Sequence, residues 1–182
     1  MNKALCFYGN PALRRKAEHV PEVNDDIRQL AREMLDTMYG HRGVGLAAEQ
    51  IGRTEAVLVL DTSPAESDED PERPRRNSDV PMPLIMVNPE ITAAEGEQYG
   101  DEGCLSFPEI YVKIRRAADV TATYTDMDNG RRTVRATGLL ARAIQHEIDH
   151  LNGVLLVDRM SMVQKAALAG KLKRLKKREQ AG

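Results

Sequence analysis

The residues best placed to do chemistry are His146, Glu147 and His150, in the run His146-Glu147-Ile148-Asp149-His150. Two histidines four residues apart on a helix lie one above the other on one face, so both imidazoles can reach a single ion. The glutamate then stands beside that ion, where a carboxylate can take a proton from a water the ion has acidified. A catalytic site of this kind needs a third protein ligand and one position left open. A histidine three residues beyond Gly153 would complete one zinc-protease pattern, but position 156 is Leu. His19 and His41 lie far upstream, and little chain remains for a glutamate ligand on a later helix. Cys104, in Glu102-Gly103-Cys104-Leu105-Ser106, is either the missing ligand or a buried structural thiol.

The elements that must position these side chains are legible in outline. Ile27, Leu30, Ala31, Met34, Leu35 and Met38 recur at helical spacing, which predicts a core helix over 25–39, opened by Asn24, Asp25 and Asp26 and ended by Gly40. A Gly-rich run over 41–52 precedes an apolar strand at 56–60. Residues 61–83 hold five of the nine prolines, many charges and no aromatic residue, which predicts a flexible, inert surface insertion. The run Leu84-Ile85-Met86-Val87-Asn88-Pro89-Glu90-Ile91 reads as a strand ending near Asn88-Pro89. Asp128, Asn129 and Gly130 supply the turn of a hairpin between alternating β-branched runs. Helices are expected over 139–151, with a short apolar run at 154–157, and over 161–182, the last opened by Ser161 and Gln164 in capping-box spacing.

Composition narrows the function classes. The 182 residues are 41% hydrophobic and 30% charged, which suits one domain with a substantial core. A formal net charge of -2 argues against a wholesale nucleic-acid binder, so no DNA partner is expected and any basic contact surface must be local. No stretch approaches the roughly 18 apolar residues of a membrane span, and the first residues have too short an apolar run for a signal peptide. Cys6 and Cys104 read as free thiols, and the cytoplasm is the expected compartment.

Three segments taken together resemble the peptide deformylase family. Gly43-Val44-Gly45-Leu46-Ala47-Ala48-Glu49-Gln50 resembles its GxGxAAxQ motif. Glu102 to Ser106 resembles its EGCLS motif, and Gln145 to Leu151 its QHExDHL motif, in the family's order and at family-like separations. The resemblance implies an α+β fold, with antiparallel or mixed sheets around a central helix bearing the HExxH run and flanking N-terminal and C-terminal helices. It is expected to form one domain over 1–182. The implied activity is metal-dependent removal of the N-formyl group from the formyl-methionine of nascent polypeptides, with release of formate.

By the same resemblance Cys104, His146 and His150 bind one divalent ion, with Fe(II) the working metal and zinc, nickel or cobalt acceptable to the same ligands. Glu147 is the implied base. Gln50, through its side-chain amide, and Leu105, through its backbone N–H, are the implied donors to the oxyanion. Gly43 and Gly45 let the backbone approach the site closely. An apolar pocket for an unbranched methionine side chain is expected from Val44, Leu46, Leu139 and Ala143, together with Gly43, Gly45 and Gly103. Tyr111 and Arg142 join it, where one well-known branch of the family has an arginine and an aliphatic residue. Glu102 is expected to pair with Arg116, and Asp149 is a candidate acceptor for a ligand histidine's second N–H. Lys171, Lys173, Arg174, Lys176, Lys177 and Arg178 form either a solvated face or a contact with ribosomal RNA. Two rivals are a zinc endopeptidase, disfavoured by Leu156, and a module in which metal only staples the fold, disfavoured by Glu147.

Overall fold

The computed structural model describes residues 3–67 and 77–179. Its first helix, α1 (Asp25–Gly40), starts as its sequence dictates. Asn24 Oδ1 accepts the Ile27 N–H at 3.1 Å, and Asp25 and Asp26 sit in the positive first turn. The glycine-rich run forms a short strand, β1 (Gly45–Ala47), and a 3-10 turn over Ala48–Ile51, followed by β2 (Val57–Leu60). The expected loop over 61–83 is corrected at its start, where Ser63–Ser67 is a short helix, α2. Asp61 Oδ1 accepts the Ser63 N–H at 3.0 Å, and Pro64 falls in the first turn, where its missing N–H costs nothing. Residues 68–76 of that stretch lie outside the described residues.

The strand expected to stop near Asn88-Pro89 instead runs on, as β3 (Leu84–Glu95). The ladder shifts between Val87 and Glu90, and Asn88 takes a φ of 49°, so Pro89 is absorbed as a bulge rather than ending the strand. Next comes an antiparallel ribbon, β4 (Gln98–Cys104) and β5 (Phe107–Arg116), which sequence reading did not assign. Its signal was present: Ile110, Val112 and Ile114 are buried while Tyr111, Lys113 and Arg115 face out. The expected hairpin follows as β6 (Asp119–Thr125) and β7 (Arg131–Thr137), its turn closed by Asp126 Oδ1 accepting the Gly130 N–H at 2.7 Å. Then come α3 (Gly138–Leu151), a short α4 (Leu156–Arg159) and α5 (Met162–Glu179). The predicted capping box is formed: Ser161 Oγ accepts the Gln164 N–H at 3.2 Å and Gln164 Oε1 accepts the Ser161 N–H at 2.8 Å. Residues 180–182 of the expected terminal helix lie outside the described residues.

The larger sheet is antiparallel throughout, in the order β1-β2-β3-β6-β7. All four residues of β2 are apolar, which a strand tolerates when both its faces are covered. Val57 and Val59 pack with Ile27, Leu30, Met34 and Met38 of α1. Leu58 and Leu60 pack with Leu140, Ile144 and Ile148 of α3 on the other face. Each such side chain, once buried, contributes about 1.5–3 kcal/mol. A third core joins Phe107, Ile110, Val112 and Ile114 of the ribbon to Leu155, Leu156, Met160 and Leu172. The fold is therefore α+β, with α3 held between the large sheet and the ribbon.

Candidate functional site

Four-residue spacing on α3 brings the His146 and His150 rings to a centroid separation of 5.0 Å, nearly perpendicular at 70°. The third donor arrives from the end of β4, where Cys104 Sγ lies 3.2 Å from His150 Nε2. One ligand atom from each of Cys104, His146 and His150 lies within 4.8 Å of the others. The two histidines are buried and the cysteine is half-buried. One thiol and two imidazoles so disposed suit a borderline divalent cation, with each donor contributing a single atom.

His146 is oriented from behind. Its Nδ1 meets Glu102 Oε2 at 3.0 Å, and Arg116 grips the same carboxylate at 2.9 Å through Nε and 3.0 Å through Nη2. Burial alone would raise the Glu102 carboxyl, but hydrogen bonds from His146 and Arg116 outweigh it and hold it at about 2. The predicted Glu102–Arg116 pair is thus present. Asp149 does not take the place foreseen for it as a histidine acceptor. Its carboxylate pairs with Arg116 Nη1 at 2.6 Å and Arg159 Nε at 2.8 Å, because two guanidinium groups converge on it. The acceptor role falls to Glu102, while His150 Nδ1 is buried with no hydrogen-bond partner among the described residues.

Glu147 is 4% exposed beside the ligand cluster, and its Oε2 has no partner among the described residues. Burial pushes its carboxyl up to about 7, against an opposing pull from His146. A buried carboxyl raised in this way, beside a cluster of possible metal ligands, marks a candidate functional position. Gly45 is required opposite it: a Cβ there would lie 2.5 Å from Glu147 Oε1. The Gly43 backbone is likewise close, with a Cβ there 2.8 Å from Leu105 Cδ1.

Gln50, 1% exposed on the 3-10 turn, has its amide orientation dictated by its neighbours. Its Oε1 accepts the Ala47 N–H at 2.9 Å, so the NH₂ must turn the other way. Nε2 donates to Ser106 Oγ at 3.1 Å and faces Cys104 Sγ at 3.5 Å. A donor is thereby held beside the thiol.

These groups border a cavity of about 510 Å³. Gln50, Cys104, Leu105, His146 and Glu147 lie along it. So do the foreseen pocket residues Gly43, Val44, Gly45, Gly103, Tyr111, Leu139, Arg142 and Ala143. Tyr111 is 75% exposed, with its ring over Gly103, where a Cβ would lie 2.5 Å from Tyr111 Cε1. Leu46 is a correction: it is fully buried in the α1 core, because strand alternation turns Gly45 toward Glu147 and Leu46 to the opposite face. Phe7 and Ile110 also border the cavity and were not foreseen. Phe7 belongs to an N-terminal segment whose Cys6 and Tyr8 N–H groups donate to Gln50 O at 2.8 Å and Ser106 O at 3.0 Å. No local pattern in the sequence announces that pairing.

The sequence pattern of the family described as Polypeptide deformylase matches residues 2–166. The chain is similar to the peptide deformylase of Endomicrobium trichonymphae, 41% identical over 170 residues and covering 93% of each chain. It is similar in structure to the Thermus thermophilus peptide deformylase, with a TM-score of 0.84, 35% identity, and coverage of 98% of this chain and 99% of that one. A peptide deformylase of Synechococcus elongatus, crystallised in complex with actinonin, aligns with a TM-score of 0.80 and 39% identity, over 93% of this chain and 87% of its own.

Proposed function

This chain belongs to the polypeptide deformylase family, and on that premise we propose that its cavity removes the N-formyl group from the formyl-methionine of nascent polypeptides and releases formate. The observation that carries this reading is the convergence of Cys104, His146 and His150 within 4.8 Å beside a buried Glu147. The donor set fits a divalent cation: Cys104, His146 and His150 would hold it, and Glu102 already occupies the His146 Nδ1, leaving Nε2 to face the ion. Fe(II) is the proposed occupant, with zinc, nickel or cobalt compatible with the same donors. When bound, the ion supplies Lewis acidity at the cavity wall, polarising the formyl oxygen and making a water easier to deprotonate.

The protein's own groups do the rest. Glu147 takes the proton of the attacking water and hands it to the departing amine, a role for which its burial keeps it basic enough. Gln50 Nε2, fixed by the Ala47 N–H at its other end, donates to the oxygen as negative charge develops there. The Leu105 backbone N–H is the second proposed donor. Val44, Leu139 and Ala143 offer an apolar wall for the methionine side chain.

On α5 the six basic residues Lys171, Lys173, Arg174, Lys176, Lys177 and Arg178 are all exposed, while Leu172 is the helix's buried residue. This face is the proposed contact for ribosomal RNA phosphates, and its binding should weaken steeply with salt. Among the described residues no helix is long and apolar enough to cross a membrane, and the cytoplasm is the proposed site of action.

The direct test is formate release from a formyl-methionyl peptide by protein purified without oxygen and supplied with Fe(II). Rapid release is expected, abolished in Cys104→Ala and in Glu147→Ala, the latter still holding its metal. Folded, fully metallated protein that releases no formate would refute the reading.

A further inference from the structure

The strand β4 and the helix α3 meet with matched spacing. Alternate strand residues recur about every 6.6 Å, and helix residues four apart recur about every 6 Å. Gly100, Glu102 and Cys104 therefore fall into step with Arg142, His146 and His150. Contacts occur at each level. Arg142 Nη1 donates to Gly100 O at 3.3 Å and to Glu102 Oε1 at 3.0 Å. His146 Nδ1 meets Glu102 Oε2 at 3.0 Å, and His150 Nε2 meets Cys104 Sγ at 3.2 Å.

We propose that Arg142 is a positioning residue for the metal centre, which sets the register of the ribbon bearing Cys104 against the helix bearing the two histidines. Its head group is committed to that task. Arg142 is 7% exposed, and besides Gly100 and Glu102 it reaches Ile114 O at 3.2 Å and Gln98 Oε1 at 3.3 Å. It lies along the cavity, with Nη1 and Nη2 turned to these four acceptors.

Glu102 shows why Arg142 is needed in addition to Arg116. A carboxylate has about four acceptor sites, and four N–H groups approach this one, two from Arg116, one from Arg142 and one from His146. Arg116 reaches α3 through Asp149, at the far side of His146 from Arg142, but because Arg116 and Glu102 both belong to the ribbon their own pair does not register Glu102 against α3. Arg142 and His146 both belong to α3, one turn apart, and together they do. Gly100 is the matching half of the device: a Cβ there would lie 2.6 Å from Arg142 Nη2. That contact is with the far end of a flexible side chain, so an alanine at 100 would move the guanidinium rather than the fold.

The inference rests on the metal reading above, and its test separates the two. The full chain is loaded with Co(II), and three readouts are taken: the rate of metal release to a chelator, the cobalt absorption spectrum, and kcat with KM. Arg142→Leu is expected to release metal about 10–100-fold faster, with an altered spectrum, a lower kcat and a KM close to wild type. Gly100→Ala should shift release and spectrum in the same direction with Arg142 still present, and it carries the test if Arg142→Leu fails to fold. Combining the two should be no worse than Arg142→Leu alone. Wild-type release and spectrum in both variants, or a raised KM as the sole change, would overturn the proposal. If the wild type itself retains no metal, the metal reading falls and this inference falls with it.

Discussion

The two walls of the cavity are held by different physics. On one side, the ribbon is joined to α3 by buried charges: Glu102, Arg116 and Arg142 have side chains no more than 9% exposed, and Asp149 stands behind them. On the other, β1 and the turn bearing Gln50 are held by close packing, with Gly45 against Glu147 and Leu46 in the α1 core. A charged wall fixes directions, as Glu102 does for the His146 ring, but it fails abruptly, because removing one member leaves its partners buried and unpaired. A packed wall fixes distances and yields by degrees.

The largest effect expected from this contrast is on the charged wall. Glu102→Ala leaves Arg116 and Arg142 facing each other without their shared carboxylate, and should destabilise the chain by about 3–5 kcal/mol. Urea unfolding measures the loss, and metal content of the purified variant should fall with it. A cost below about 1 kcal/mol would mean that the network is not a unit.

The packed wall has one ionisable exception. Glu49 is fully buried, and neither carboxylate oxygen has a hydrogen-bond partner among the described residues. Burial pushes its carboxyl from 4.5 up to about 8, with the charges of Glu147 and Glu55 adding to the rise and its own backbone N–H opposing it. The folded value is the higher one, so the folded state holds the proton more tightly. Its contribution is present in full below the unfolded value and is lost as pH rises through the window from 4.5 to about 8. Wild-type stability should fall across that window by on the order of a few kcal/mol, read as a falling melting temperature, and Glu49→Gln should flatten the fall. Equal slopes in the two proteins would show that Glu49 does not govern it.

The smallest effect is expected at the glycines, and their difference sharpens the comparison. Gly45→Ala sets a Cβ 2.5 Å from Glu147 Oε1 and 2.9 Å from Leu60 Cδ2, so the Glu147 carboxyl must move. A cost of about 1–3 kcal/mol is expected, with kcat falling more than KM rises. Gly43→Ala meets Leu105 Cδ1 at 2.8 Å, and both Leu105 and the Met38 contact beyond it are flexible side chains, so its effect should be smaller. Steady-state kinetics on the pair decide the matter; equal losses would break the distinction.

What could be read from the chain alone was local. The His146-Glu147-x-x-His150 spacing, the stripe of α1, the Asp126–Gly130 turn and the Ser161–Gln164 cap each depend on residues within one or two turns of each other, where periodicity and hydrogen-bond reach are set by backbone geometry. The ligand types likewise follow from the side chains themselves, and resemblance of three motifs supplied Cys104 as the third. The misses share the opposite character. Glu102 lies 44 residues from His146, and nothing nearby states that it, rather than Asp149, faces the ring. Which face of β1 carries Leu46 depended on where α1 packs. The passage of β3 through Pro89 depended on a bulge that realigns it with β6. The sequence by itself determined the two histidines as candidate donors and the helix that spaces them. The tertiary structure alone decided their partners, because burial and long-range pairing, absent from any local window, set which charges meet and which groups water cannot reach.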